Sequence, residues 1–264
     1  MLYAEHTSPE IGRLAPKTIA LLPLASVEQH GRHLPLITDT ALVTEVAKRV
    51  ERALPKQVAL LPTLWLGSSH HHLGFPGTVS VTSATYIQMI MEVVECLSRA
   101  GFRRIFLLNG HGGNIVPGGE VLNRLNQKWH GPKEPWVAFA SYWITAAAEL
   151  ASQKFMKTPR LSHACEYETS MMLALRTDWV KLKLARGENQ TRGSKFYCPS
   201  GTPPSRITVS ESFHQLTSVG AIGSPELSTP EKGRKLFNLI APVMIDCLKD
   251  FSKWRHPRGK QVVM

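Results

Sequence analysis

The sequence predicts an α/β protein, a three-layer α/β/α arrangement around a mainly parallel central sheet. Two observations carry that expectation. Short apolar runs alternate with longer segments of helical period, as in strands covered on both faces by their connecting helices. Clusters rich in His, Gly and carboxylates follow the apolar runs, where open α/β sheets bind their ligands. A length of 264 residues, 43% hydrophobic and 19% charged, suits one domain spanning residues 1–264.

In chain order, Thr18–Leu24 reads as a buried strand, short, apolar and ended by polar residues. Thr40–Leu54 has helical spacing of Leu42, Val43, Val46, Val50 and Leu54, with Asp39 or Thr38 as its expected cap. Val58–Pro62 is a second strand, interrupted by its proline. Thr82–Ala100 is a long helix stopped by Gly101, and Arg104–Asn109 a third strand. A helix over Pro117–Trp129, a strand over Trp136–Ala140, and helices over His163–Leu175 and Pro230–Phe251 complete the pattern. Residues 176–228 have weak periodicity and read as long loops with at most a short hairpin.

Composition excludes several classes. No stretch approaches the roughly 18 apolar residues of a membrane helix. The N-terminal residues lack the basic and apolar regions of a secretory signal. Cys96, Cys165, Cys198 and Cys247 are scattered, without CxxC spacing, which points to a reduced, cytoplasmic setting. The formal charge is +11, from 31 basic and 20 acidic residues, concentrated in 181–186, 192–195 and 253–260. These segments lack the aromatic interleaving of a single-strand platform, so the expected partner is a small molecule and not nucleic acid.

The polar clusters point to metal chemistry. Glu28 and His30 lie two apart, so in extended backbone they face the same way, and Gly31 and Pro35 favour a fixed loop over a mobile one. Asp39 is a second carboxylate, although a helix cap alone would also explain it. Asn109-Gly110-His111-Gly112-Gly113-Asn114 puts one imidazole at a tight strand-to-helix turn. A phosphate cradle would need a Lys-Ser/Thr pair, which this motif lacks. His163 and Glu166, three apart, would share a helix face, the reverse order of a known di-metal device. Three adjacent histidines, His70–His72, cannot all face one site. Ser69 and His72 are the expected substrate contacts from this segment. Trp65, Trp143 and Trp179 read as core, with Trp143 alone, at a strand end, a candidate substrate contact.

These clusters, in this order, resemble the creatininase family of creatinine amidohydrolase-like proteins. The matching residues are Glu28-Gln29-His30-Gly31, His33-Leu34-Pro35, Thr38-Asp39, His72, Phe75-Pro76-Gly77-Thr78, Asn109 to Asn114, His163-Ala164, Glu168-Thr169-Ser170, and Gly220, Gly223, Pro225 and Glu231-Lys232-Gly233. The resemblance implies an α/β/α fold, a hexamer built as a trimer of dimers, and two divalent metal ions, zinc or manganese, with iron also compatible with the donors. It implies that Asp39 bridges the ions and that Glu28, His30 and His111 are terminal ligands. One departure stands out. Creatininase proper has a Glu two residues after the metal-binding His, where this chain has Gly113, and an apolar residue where it has Glu166. Glu166 is therefore expected to supply the missing ligand.

That exchange points away from creatinine and toward other branches: formamide-cleaving deformylases of nucleotide-derived pyrimidines, a peptidase of peptide-cofactor maturation, and a carbon–carbon hydrolase of inositol-like sugars. The chemistry implied is hydrolysis of a C–N amide bond in a small cyclic or formamide substrate. Two cations would lower the pKa of a water and polarise the carbonyl, while His163 moves the proton to the leaving nitrogen. Carbon–carbon hydrolysis of a cyclic diketone and peptidase action are the alternatives. A non-catalytic binder would be expected to have lost a ligand, and no loss is evident.

Overall fold

The computed structural model describes residues 1–129, 131, 134–158, 161–188, 194–197 and 205–255. Cys198 and parts of the basic segments 192–195 and 253–260 lie outside them. The elements in order are α1 (Ser8–Leu14), β1 (Ile19–Leu24), α2 (Thr38–Ala53), β2 (Val58–Leu60), α3 (Ser83–Arg99), β3 (Arg104–Asn109), α4 (Ile115–Lys128), β4 (Trp136–Ser141), the short α5 (Tyr142–Thr145) and α6 (Ala147–Ser152), α7 (Glu166–Arg176), the short α8 (Phe213–Leu216) and α9 (Pro230–Lys253).

The four strands form one sheet in the order β2-β1-β3-β4, and every pairing is parallel. Register aligns Leu24 with Asn109 and Asn109 with Ser141, so three strands end together at one edge. Alternate side chains feed two cores. Ile19, Leu21, Phe106 and Leu108 pack with α2, α7 and α9. Ala20, Leu22, Leu24, Ile105 and Leu107 pack with α1, α3 and α4. Burial on both faces explains why β1 and β3 read as continuous apolar runs. Among the described residues, no helix is long and apolar enough to cross a membrane.

Four local expectations are corrected. Helix α2 begins at Thr38 with Ile37 as its N-cap, so neither Thr38 nor Asp39 caps it; Thr38 Oγ1 donates to Pro35 O, and Asp39 turns inward. Helix α7 begins at Glu166, not His163, because Ala164 adopts φ +50° and Cys165 is extended, which breaks the helix in front of Glu166. No hairpin appears among the described residues of 176–228, which hold short helical turns and an isolated bridge between Glu188 and Ile222. Trp65 and Trp179 are exposed and not core; Trp179 carries the Arg176 guanidinium on its face, 3.8 Å from the ring centre. Helix α1 was not anticipated. Its capping box of Thr7 and Glu10, with Pro9 in the first turn, is the readable signal.

Candidate metal centre

The aligned strand ends place the site. The loop after β1 carries Ser26, Glu28, Gln29 and His30, the first turn of α2 carries Asp39, and the turn after β3 carries His111. Two asparagines tie these exits together. Asn109 Nδ2 donates to His111 O at 2.8 Å and to Ser141 Oγ at 2.9 Å. Asn114 Oδ1 accepts from Ser68 N at 3.0 Å, while its Nδ2 donates to Ala25 O at 3.1 Å. These contacts hold the exits of β1 and β3 and the loop after β2 against one another beside the cavity.

Asp39 sits at the centre. Its Oδ2 lies 2.9 Å from His111 Nδ1 and accepts from Ser26 Oγ at 2.9 Å; its Oδ1 lies 3.1 Å from His30 Nε2. Each carboxylate oxygen therefore faces a different imidazole. The donors fall into adjoining groups that could each hold a cation: Glu28, Asp39 and His111 on one side, His30, His163 and Glu168 on the other. Both rings are oriented from behind. His30 Nδ1 donates to Glu28 O at 3.1 Å, and His111 Nε2 lies 3.1 Å from Ser69 Oγ. The nitrogen left to each ring points into the cluster.

Burial opposes charge on His30 and His111, but the facing carboxylates outweigh it and raise the rings to about 9 and about 10. Burial also opposes ionisation of Asp39, yet His30 and His111 hold its carboxyl well below the usual range. Glu168 differs: burial pushes it up to about 7. Burial, followed by the charge on His30, lowers His163 to about 3, so that ring is neutral.

A cavity of about 320 Å³ opens against the cluster. Glu28, Asp39, His111 and Glu168 lie at its base, and Trp143, Leu161, Phe213, Leu216 and Ile222 form an apolar wall. His72 and His163 line it, and Phe213 stacks on His72 with ring centres 4.0 Å apart. Among the expected substrate contacts, His72 and Trp143 reach the cavity and Ser69 does not; Ser69 is fully buried behind His111.

Glu28, His30, Asp39, His111 and His163 are brought together, and Glu166 is not. Its carboxylate accepts from the backbone N–H groups of Lys157, at 3.0 Å, and Thr158, and pairs with the Lys232 ammonium on α9. Glu168, two residues on, projects into the cluster in its place and accepts from Ala164 N. The late start of α7 sets this phase. The departure at position 113 is structural as well. A Cβ on Gly113 would lie 2.2 Å from Ser68 O and 2.6 Å from the His71 ring, so no carboxylate can be supplied there without moving the β2 loop. Gln29, Phe213 and Glu168 were missed as cavity or cluster residues. Glu168 lies within the Glu168-Thr169-Ser170 motif, but which of two nearby glutamates faces inward depends on backbone phase.

The family model described as creatinine amidohydrolase matches residues 4–248. The chain belongs to the creatininase family. Its relatives span three chemistries. The mycofactocin precursor peptide peptidase of Mycolicibacterium smegmatis is 26% identical over 96% of this chain and 91% of its own length. The creatinine amidohydrolase of Pseudomonas putida is 28% identical over 88% and 89%. The 3-dehydro-scyllo-inosose hydrolase of Thermotoga maritima is 27% identical over 94% and 82%. A crystal structure of creatininase superimposes with a TM-score of 0.78 at 24% identity, covering 96% of this chain and 98% of that one. A manganese form of creatininase superimposes at 0.76 and 23%, covering 96% and 99%. Members of this family are hydrolases, and the likeness in structure confirms the α/β fold with its parallel sheet.

Proposed function

We propose that this chain, acting as one metallohydrolase domain over residues 1–264, is a metal-dependent amidohydrolase that cleaves a C–N amide bond of a small cyclic or formamide-type substrate. The observation that carries the reading is Asp39, with one oxygen toward each of two imidazoles belonging to separate donor groups. The donor set fits two divalent cations. Glu28 Oε2 is buried without a hydrogen bond and faces His111 Nδ1 across 3.2 Å, so a cation placed between the two would complete its surroundings. Three carboxylates and two imidazoles are hard and borderline donors, suited to zinc, manganese or iron.

Glu28, Asp39 and His111 would hold one cation, and His30, Asp39 and Glu168 the other. When bound, such a pair supplies Lewis-acid polarisation of a carbonyl and acidifies a water near neutrality. The chain's own residues do the rest. His163, neutral and on the cavity wall, takes and returns a proton at Nδ1, the nitrogen 3.8 Å from Glu28 Oε1. His72 and Trp143 border the substrate, and the apolar wall around Phe213 excludes water. A cavity of this size favours a small substrate over a polypeptide. A cytoplasmic homohexamer completes the reading, and sedimentation of the purified protein checks the assembly.

The test is a panel of cyclic amides, formamides, cyclic diketones and short peptides, assayed with and without chelator and after metal return. The proposal expects chelator-sensitive turnover of an amide or formamide. Turnover confined to diketones would move the reaction to carbon–carbon hydrolysis, and chelator-resistant turnover would sink the metal requirement.

A further inference from the structure

A third group of potential donors, Glu28, His72 and His163, borders the cavity without Asp39. Its hydrogen bonding argues for a different role. Gln29 is nearly fully buried beside it. Gly31 N–H donates to Gln29 Oε1 at 3.0 Å, and a backbone N–H can only donate, so the orientation of this carboxamide is fixed. Its Nε2 then points at His72 Nδ1, 2.9 Å away, and donates to it. A neutral His72 that accepts at Nδ1 must carry its proton on Nε2, which lies 3.2 Å from Glu28 Oε1. The polarity runs one way, from Gly31 through Gln29 and His72 to one oxygen of Glu28. The other oxygen, Oε2, is the buried atom left without a hydrogen bond, 3.2 Å from His111 Nδ1.

We propose that Gln29 is a positioning residue: acting through His72, it turns Glu28 so that Oε2 is offered to the cation shared with Asp39 and His111, and it keeps His72 a proton donor instead of a third-site ligand. The proposal rests on the metallohydrolase reading above. The backbone carbonyl of Gln29 serves the same cluster, accepting from His163 Nε2 at 2.9 Å and leaving Nδ1 of that ring for the cavity. One residue thus bonds to both His72 and His163, through its carboxamide and its backbone carbonyl.

Two measurements decide it. Long-range ¹H–¹⁵N correlation on imidazole-labelled wild-type protein, assigned with His72→Phe, should show His72 protonated at Nε2. A proton at Nδ1 would overturn the proposal, and this readout needs no substrate. Zinc titration of Gln29→Leu, His72→Phe and the double variant should show a loss of affinity at one of two sites of about 10–100-fold in each single variant. The double variant should lose no more than either single one, because the two residues act in series. Additive losses would contradict the series. Failure of the wild type to bind divalent ions at all would overturn the metallohydrolase reading instead, while the tautomer measurement would still decide the role of Gln29.

Discussion

Glu166 and Glu168 share the first turn of α7, and both are buried. Glu166 is satisfied from all sides, by two backbone N–H groups and the Lys232 ammonium, and those partners hold its carboxyl below the ordinary range against the opposing effect of burial. Glu168 faces His30, His163 and an open cavity, and burial drives it up to about 7. The one is a finished ion pair that pins the segment before α7 to α9. The other accepts from Ala164 N–H and turns toward the imidazoles of the cluster. Two histidines repeat the contrast. His30, among carboxylates, is raised to about 9, whereas His33, three residues on and bonded at Nε2 to Thr169 Oγ1, is lowered to about 4 by burial and then by the charge of His30. Burial alone marks neither site nor scaffold; the partners do.

The sharpest way to break this comparison is at its centre. Asp39→Ala removes a donor from both groups and should strip both cations, lowering zinc affinity by more than the ~100-fold typical of outer-layer changes. Glu28→Ala and His111→Ala should each lose metal as well, and full retention in all three variants, measured by elemental analysis, would refute the assignment. Next in size, His163→Ala should keep its metal and lose about 10²–10⁴-fold in turnover, since the ring carries a proton and is not required to hold an ion. Unchanged kcat at full metal content would remove it from the chemistry.

On the scaffold side, Glu166→Gln leaves Lys232 with a poorer partner in a largely buried position and should lower stability by about 3 kcal/mol in denaturant unfolding, with metal content intact. Its acid profile should also change. The folded carboxyl is lowered, so its contribution is complete above the ordinary carboxyl range and fades as pH falls through the lower folded value. Glu166→Gln should unfold with a shallower dependence below about pH 4.5. His33 acts in a higher window. Its folded value near 4 lies below the ordinary 6.5, so the metal-free protein should lose stability as pH falls from 6.5 to 4, and His33→Gln should flatten that slope. The smallest effect is expected from Ser69→Ala, which removes the contact behind His111 at a cost of about 1 kcal/mol in zinc binding. A substrate-dependent KM change with normal zinc affinity would instead put Ser69 in the cavity.

Much of this architecture was legible in the chain. The four strands declared themselves because each is a short, largely apolar run, and Glu28 and His30 stood out as candidates because they come soon after one, with Asp39 close behind them. The vacancy created by Gly113 was also readable, and the crowding of Ser68 O and His71 around that position gives its physical basis. Which nearby glutamate faces the cluster was not. Choosing Glu166 over Glu168 assumed a helix running through His163, and the positive φ of Ala164 breaks that helix. No residue type announces such a turn when alanine occupies it. Helix α1 was missed for the opposite reason: the Thr7–Glu10 signature was present but preceded a weakly periodic segment. Gln29 lay between two conspicuous ligand candidates, and its service to His72 depends on contacts across 43 residues that no local pattern encodes.

The most direct test of the account is the zinc content of three proteins purified alike: wild type, Glu166→Gln and Glu168→Gln. The account predicts two ions per chain in the wild type, two in Glu166→Gln and one in Glu168→Gln. Loss of an ion from Glu166→Gln with retention in Glu168→Gln would contradict it.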